Sequence, residues 1–295
     1  MLHHNHTHTQ RICAGIVTFN PDIDLLKKNI EAIAPQLEKV YVCDNNSENI
    51  LEISKLIEVY RHKAILIKLP ENRGIAYALN TLCEKALTEG YDLILTLDQD
   101  TLTPLRLISV LSCYAKNNVA IVSPNIIYKN NERFSIVRTT EYDEVESTIT
   151  SASLTNLKVW QQIGGFDNEL FIDYVDYDFC YRAGNAGYKI IRVNKISILH
   201  ELGKMKCMKI FGIVVHATNH PANRYYFMTR NMLIVKEKDK KGKPNTEITK
   251  LVLKIIFFEH GKAAKLHAVW KGLIHFRKWH KSKKKEGKRV IKGLL

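Results

Sequence analysis

Tyr91-Asp92-Leu93-Ile94-Leu95-Thr96-Leu97-Asp98-Gln99-Asp100-Thr101 carries a short apolar run, Leu93 to Leu97, that ends in two carboxylates. A run this short and this apolar reads as a strand covered on both faces, as in a parallel sheet. Asp98 and Asp100 then stand at its carboxyl end, where open α/β sheets bind their ligands. On an extended chain residues i and i+2 point the same way, so the two like charges repel and a cation offsets the cost. A hard, oxygen-seeking ion such as Mg2+ or Mn2+ suits the pair, above all one shared with a diphosphate. Taken alone the pair also fits a solvated turn, and the rest of the chain has to decide.

The 295 residues are 45% hydrophobic and 25% charged, ordinary for a soluble globular protein of one large domain or one and a half. Cys13, Cys43, Cys83, Cys113, Cys180 and Cys207 form no CxxC pair and no zinc spacing, and read as reduced core residues of a cytoplasmic protein. No apolar run approaches the roughly 18–20 residues that span a bilayer. Residues 1–10 carry four histidines and no apolar signal core, and read as a disordered tail outside a non-secreted protein. Charge is sharply segregated. Residues 236–295 hold 19 Lys and Arg against 5 Asp and Glu, a surplus of 14 that equals the net charge of the whole chain; the first 235 residues balance at 25 of each.

Outward from Leu93, strands and helices alternate. Arg11 to Val17, Val40 to Cys43 and Ala64 to Leu69 read as strands; Asp22 or Asp24 caps the helix after the first, and Leu51 to Tyr60 follows the second. Ile75 to Thr88 is a helix with Ala76, Leu79, Leu82 and Cys83 on one face. This series implies right-handed crossovers and a parallel sheet whose polar loops converge on one edge. Beyond it the sequence predicts a helix from Pro104 to about Lys116, a strand at Val119 to Ser123 and an excursion of hairpin strands over 125–150. A short helix follows over Leu154 to Gln162, then a helix after Asp173 ended by Gly184 and Gly187, and two strands at Lys189–Val193 and Ile196–Leu199.

Seven short pieces follow one another along the chain: Val17-Thr18-Phe19-Asn20, Asp44-Asn45-Asn46-Ser47, Glu71-Asn72-Arg73-Gly74-Ile75-Ala76, Leu97-Asp98-Gln99-Asp100, Gly164-Gly165-Phe166-Asp167, Asp173-Tyr174-Val175-Asp176-Tyr177-Asp178 and Leu199-His200-Glu201-Leu202-Gly203. Together they resemble a family 2 glycosyltransferase of the GT-A type, and within it the bacterial rhamnosyltransferases, over residues 11 to about 205. Arg224-Tyr225-Tyr226 through Arg230-Asn231 resembles the helical segment those enzymes carry after the core. The resemblance implies a Rossmann-like, mostly parallel sheet flanked by helices over 11–222 and a basic helical extension over 223–295. It implies that Thr18, Phe19, Asn20 and Asp44 hold the base and ribose of a nucleotide-sugar. Asn72, Arg73 and Gly74 would approach the nucleotide, Gly74 by close backbone contact. Asp98 would lie near ribose and metal, Asp100 would ligate the metal, and His200 would be a further ligand. Asp176 is the candidate general base, although Val175 replaces the family's usual Glu; Asp173 remains the alternative.

The expected activity is inverting, metal-dependent transfer of a sugar. The resemblance implies dTDP-L-rhamnose as donor and a lipid-linked surface polysaccharide as acceptor. In the tail, Leu266, Val269, Trp270, Leu273 and Ile274 form one apolar stripe edged by Lys265, Lys271, Arg277 and Lys278. The stripe either meets an anionic membrane surface or packs on the core, and Leu251 to Phe258 is likewise buried or membrane-facing. A membrane-peripheral enzyme on the cytoplasmic face is the expectation. Two other functions compete. A metal-dependent phosphatase would want Thr or Val where Leu102 stands, and a nucleic-acid binder would use the tail without any accompanying motif. No GxGxxG follows the first strand, which disfavours a dinucleotide-binding dehydrogenase.

Overall fold

In the computed structural model, which describes residues 10–128, 139–200, 206–210, 213–217, 219–239 and 244–294, strand and helix alternate from the start. The first four repeats are β1 (Ile12–Thr18), α1 (Ile23–Ile33), β2 (Val40–Asp44), α2 (Ile50–Val59), β3 (Ala64–Lys68), α3 (Ile75–Thr88) and β4 (Leu93–Asp98). Next come α4 (Leu107–Ser112), β5 (Val119–Tyr128), β6 (Tyr142–Glu144), β7 (Ser153–Asn156), α5 (Leu157–Gln162), α6 (Val175–Asn185) and β8 (Lys189–His200). The C-terminal elements are β9 (Lys206–Ile210), β10 (Ile213–Ala217), α7 (Ala222–Asp239), α8 (Pro244–Phe258) and α9 (Lys262–Leu294).

Sheet order is β3-β2-β1-β4-β7-β5-β8-β6. β1, β2, β3 and β4 pair in parallel, as do β5 and β8, while β7 runs antiparallel to both β4 and β5, and β6 antiparallel to β8. The order turns back after β3, and the next strand joins on the other side of β1. The crevice outside the carboxyl ends of β1 and β4 is therefore the sheet's switch point. Ile16, Val42, Leu93, Leu95 and Leu97 pack with Leu26, Ile30 and Ile33 of α1 in the main core. The α3 face read from sequence, Ala76, Leu79, Leu82 and Cys83, is buried as well.

Several elements depart from the sequence reading. Ser153–Asn156 is the strand β7, inserted between β4 and β5, and only Leu157–Gln162 is helical. The helix after Pro104 spans Leu107–Ser112, because Arg106 ahead of it is left-handed (φ 68°) and the chain turns again at Cys113 and Tyr114. β5 continues to Tyr128, and the excursion's strand β6 pairs with β8 rather than folding back as a hairpin. The two strands expected over 189–199 are the single strand β8, with its register shifted between the Pro124 and Asn125 pairings. Burial raises the Cys13 and Cys83 thiols and pushes Cys43 and Cys180 up to about 12, so these behave as small core residues. Cys113 is exposed, and the Cys207 side chain and residues 1–9 lie outside the described residues.

The chain divides into two compact units, Met1–Phe171 with Val175–Glu201, and Ile172–Tyr174 with Leu202–Leu295; the sequence reading put the division between 222 and 223. In the second unit α9 packs along α7 and α8, with Tyr225, Ile255, Ala268 and Val269 at the centre and Leu266 and Leu273 beside them. Lys265, placed from sequence on the basic edge of the stripe, is buried with its ammonium 2.6 Å from the Glu259 carboxylate. Burial alone would raise the Glu259 carboxyl, but hydrogen bonds from Lys265 and Tyr225 and the Lys254 charge hold it below its ordinary value. Among the described residues no helix is long and apolar enough to cross a membrane.

Candidate active site

The loops after β1, β2, β3 and β4 are tied together by hydrogen bonds. Thr18 Oγ1 donates to Asp44 Oδ1 at 2.9 Å, the Ser47 hydroxyl donates to the same oxygen at 2.5 Å and the Ser47 amide to Oδ2 at 2.9 Å. Asn20 N donates to Ser47 Oγ, and Asn20 Oδ1 accepts from the Glu48 amide, each at 2.8 Å. Thr18 and Asp44 are buried, so this pair organises the loop, while Phe19 and Asn20 are exposed beside it. One loop on, Asn45 Oδ1 accepts from the Arg73 amide at 2.9 Å and Asn72 Oδ1 from the Gly74 amide at 3.0 Å. The exposed Arg73 guanidinium lies 3.7 Å over the Tyr77 ring.

Gly74 has a specific reason to be glycine. Its φ is +85°, and a Cβ there would meet Phe171 O at 2.4 Å and Phe171 Cα at 2.7 Å. The close backbone approach seen at Gly74 is to Phe171, whose carbonyl also accepts from the Ile75 amide at 2.6 Å.

The acidic turn is braced from several sides. Asn29 Nδ2 donates to Asp98 O at 2.7 Å, and the Thr101 amide reaches the same carbonyl at 3.2 Å. The Asp98 amide donates to Ser151 Oγ at 3.2 Å, and Ser151 and Thr101 hydroxyls are 2.6 Å apart. Phe19 N donates to Gln99 Oε1 at 2.9 Å, closing the switch-point crevice between β1 and β4. Asp98 is the last residue of its strand and Asp100 stands exposed in the turn that follows. The expectation of an extended Asp98–Asp100 pair thus gives way to a turn, because the Thr101 amide bonds back to Asp98.

Among the described residues no three His, Cys, Asp or Glu side chains cluster as a metal site. The donor set of the turn is two carboxylates, hard oxygen ligands. That set fits an ion that takes its remaining ligands from water and a diphosphate, as Mg2+ commonly does. His200 ends β8 opposite Tyr128, and its side chain lies outside the described residues.

Three acids stand at or just before the start of α6, and Asp178 and Asp173 each take a guanidinium. Asp178, fully buried, takes Arg182 Nε at 2.7 Å, and the same guanidinium donates to Ile163 O and Gly165 O, pinning the Gly164-Gly165 turn. Asp173 takes the Arg224 fork, with Nη2 to Oδ1 at 2.9 Å and Nε to Oδ2 at 3.2 Å. Asp176, half-buried in the first helical turn, accepts from the Tyr177 amide at 2.9 Å. Phe171, Asp173 and Tyr174 all have positive φ (56°, 65° and 66°), a conformation that costs a non-glycine residue about 1–3 kcal/mol each. Sequence reading passed over Asn29, Asn80, Ser151 and Arg182. Asn80, buried on α3, donates to Phe166 O and accepts from Trp160 Nε1 and the Phe166 amide, and so holds the Gly-Gly-Phe turn. Each of these asparagines breaks an otherwise apolar helical stripe, the signal available for finding them.

A model described as glycosyl transferase family 2 matches residues 13–184. The dTDP-rhamnosyl transferase RfbF of Shigella flexneri is 33% identical over 246 residues, covering 77% of this chain and 80% of that protein. The mannosyltransferase PcManGT from Pyrobaculum calidifontis, solved with GDP-Man and Mn2+, matches with a TM-score of 0.60 at 16% identity over 91% of this chain and 75% of its own. GalNAc-T7, solved with UDP, GalNAc and Mn2+, also gives 0.60 at 12% identity over 78% of this chain, which spans about half (48%) of that protein. The sheet and its flanking helices are of the GT-A type these structures share.

Proposed function

The chain belongs to glycosyl transferase family 2, and from that premise we propose that it is an inverting, metal-dependent rhamnosyltransferase acting on dTDP-L-rhamnose. The acceptor is a hydroxyl of a lipid-linked surface glycan, met at the anionic surface of the membrane by the basic C-terminal unit. The observation that carries the reading is the braced turn Asp98-Gln99-Asp100 at the sheet's switch point, tied to Phe19 across the crevice. Rhamnose as the sugar rests on the relative from Shigella flexneri, and metal dependence on the carboxylate pair together with the Mn2+ held by the two solved neighbours.

Asp98 and Asp100, with His200 as a further ligand, would hold Mg2+ or Mn2+. A divalent ion there supplies Lewis-acid stabilisation of the charge that grows on the departing diphosphate. Phe19, Asn20, Asn72 and Arg73 flank the nucleoside, while the Thr18–Asp44 pair and Gly74 keep their loops in place. The Asp176 carboxylate takes the proton of the acceptor hydroxyl as its oxygen bonds to the anomeric carbon. The bond from that carbon to the diphosphate breaks on the opposite face, so the configuration inverts. Asp178 takes the Arg182 guanidinium and Asp173 the Arg224 guanidinium; Asp173 is the alternative base.

A panel of nucleotide-sugars, assayed for released nucleoside diphosphate with and without chelator, tests the reading. Turnover is expected with dTDP-L-rhamnose and is lost with chelator. Asp100→Ala and Asp176→Asn each lower turnover about 100-fold or more, and only Asp100→Ala weakens metal-dependent donor binding. Chelator-resistant turnover, or Asp100→Ala with wild-type donor affinity, rules out the metal at this turn.

A further inference from the structure

We propose that Arg224 and Asn231 of α7 are positioning residues for Asp176. They clamp the strained segment just ahead of α6 and so fix where that helix, and its first-turn carboxylate, begins. The inference rests on the reading of Asp176 as the general base.

The strain is concentrated. Phe171 combines φ 56° with ψ −64°, close to the rare γ-turn conformation, and Asp173 and Tyr174 follow in the left-handed region. None of the three is glycine. Such a conformation persists only when its surroundings over-determine it, and strain of this kind gathers where geometry serves function.

Its surroundings are specific. Asn231 is fully buried, and its Nδ2 donates to Ile172 O at 2.7 Å and Asp173 O at 3.1 Å. Its other amide atom is fixed too, since Arg230 Nε donates to Asn231 Oδ1 at 2.8 Å. The two amide donors therefore face the two carbonyls. Arg224, seven residues earlier on the same helix, forks onto the Asp173 carboxylate. Two helical turns thus grip both the backbone and the side chain of the segment. Val175, the next residue but one after Asp173, opens α6, so a shift of the clamp passes directly to Asp176. A displacement of about 1 Å in a reacting group costs up to about 100-fold in rate.

The test uses the full-length protein with dTDP-L-rhamnose and Mn2+, reading dTDP release with water as acceptor, dTDP affinity by calorimetry and thermal unfolding. The variants are Arg224→Gln, Arg224→Lys, Asp173→Asn, the Arg224→Gln/Asp173→Asn double and Asp176→Asn. Arg224 is part-exposed and Asp173→Asn keeps the side-chain shape, so these chains are expected to fold. Arg224→Gln and Asp173→Asn each lower kcat about tenfold or more, with donor KM and dTDP affinity within twofold of wild type. The double is no worse than either single, and Arg224→Lys recovers part of the loss. Wild-type kcat in Arg224→Gln overturns the proposal, as does a double whose losses multiply. Asp173→Asn falling to the Asp176→Asn floor makes Asp173 the base and overturns it as well. Should Asp176→Asn itself keep wild-type kcat, the base assignment falls first; a dead Asp176→Asn beside an intact Arg224→Gln sinks the clamp alone.

Discussion

Asn29 stands where the spacing of α1 wants an apolar side chain, between Leu26, Ile30 and Ile33 on the buried stripe. Its Nδ2 donates to Asp98 O, while its Oδ1, buried, has no hydrogen-bond partner. A half-satisfied amide in a core is a cost unless it holds something that matters. What it holds is the carbonyl at the root of the acidic turn. Asn29→Leu removes the unsatisfied oxygen along with the donor, so thermal stability should change little, within about 1 kcal/mol. The turn loses one of its braces, and metal-dependent donor affinity should fall about tenfold. A lowered melting temperature with donor affinity unchanged would make Asn29 a packing residue only. The contrast with Asp98 and Asp100 shows what a sequence exposes at this scale. Two carboxylates at the end of an apolar run cannot be core, so they announce themselves. Asn29 and Asn80 sit inside a helical period, and a reading by period absorbs one polar residue as noise.

Elements follow the same logic. β1 to β4 and the helices between them were legible because each is a run of local pattern, apolar for a strand and 3.6-periodic for a helix, and the boundaries fall within a residue or so. β7 was not. Ser153-Leu154-Thr155-Asn156 has one aliphatic residue and no alternation, and is a strand only because β4 and β5, distant in sequence, pair with it on either side. The crossing of α7 and α9 is equally non-local. At Gly272 a Cβ would stand 2.9 Å from both Thr229 Cβ and Tyr226 O, so α9 approaches α7 nearly backbone to backbone. In sequence Gly272 looks like a mild helix weakener amid lysines. Gly272→Val should cost about 1–3 kcal/mol through overpacking, read as a lower melting temperature. Gly272→Ala, with less to accommodate, should fall between. Melting temperatures that rise in the order Gly, Ala, Val, as helix propensity away from packing would have it for alanine, would mean the crossing is loose.

At the scale of the whole molecule, charge is divided between a balanced body and a C-terminal region that carries the entire surplus. The stripe read from sequence does not stay together in α9. Leu266, Val269 and Leu273 turn inward to α7 and α8. Trp270, 55% exposed, instead lines a groove of about 580 Å3 with Tyr226, Ile274, Trp279, Lys271 and Lys278. On α8, Leu253, Ile256 and Phe257 are exposed at i, i+3 and i+4, while Ile255 is buried. Both helices therefore give one face to the core and leave apolar side chains on another, among lysines, the composition that suits an anionic lipid surface. Deleting α9 is the wrong test, because its inward face is part of the second unit's core. Trp270→Ser and Trp279→Ser with Lys271→Glu and Lys278→Glu spare that face. The fourfold variant should keep its melting temperature and its turnover of dTDP-L-rhamnose in solution, while co-sedimentation with vesicles rich in phosphatidylglycerol drops at least tenfold. Neutral phosphatidylcholine vesicles should bind neither protein appreciably, and added salt should weaken wild-type binding as screening requires. If the variant sediments with anionic vesicles as well as wild type does, the open side of α9 is not the surface that meets the membrane.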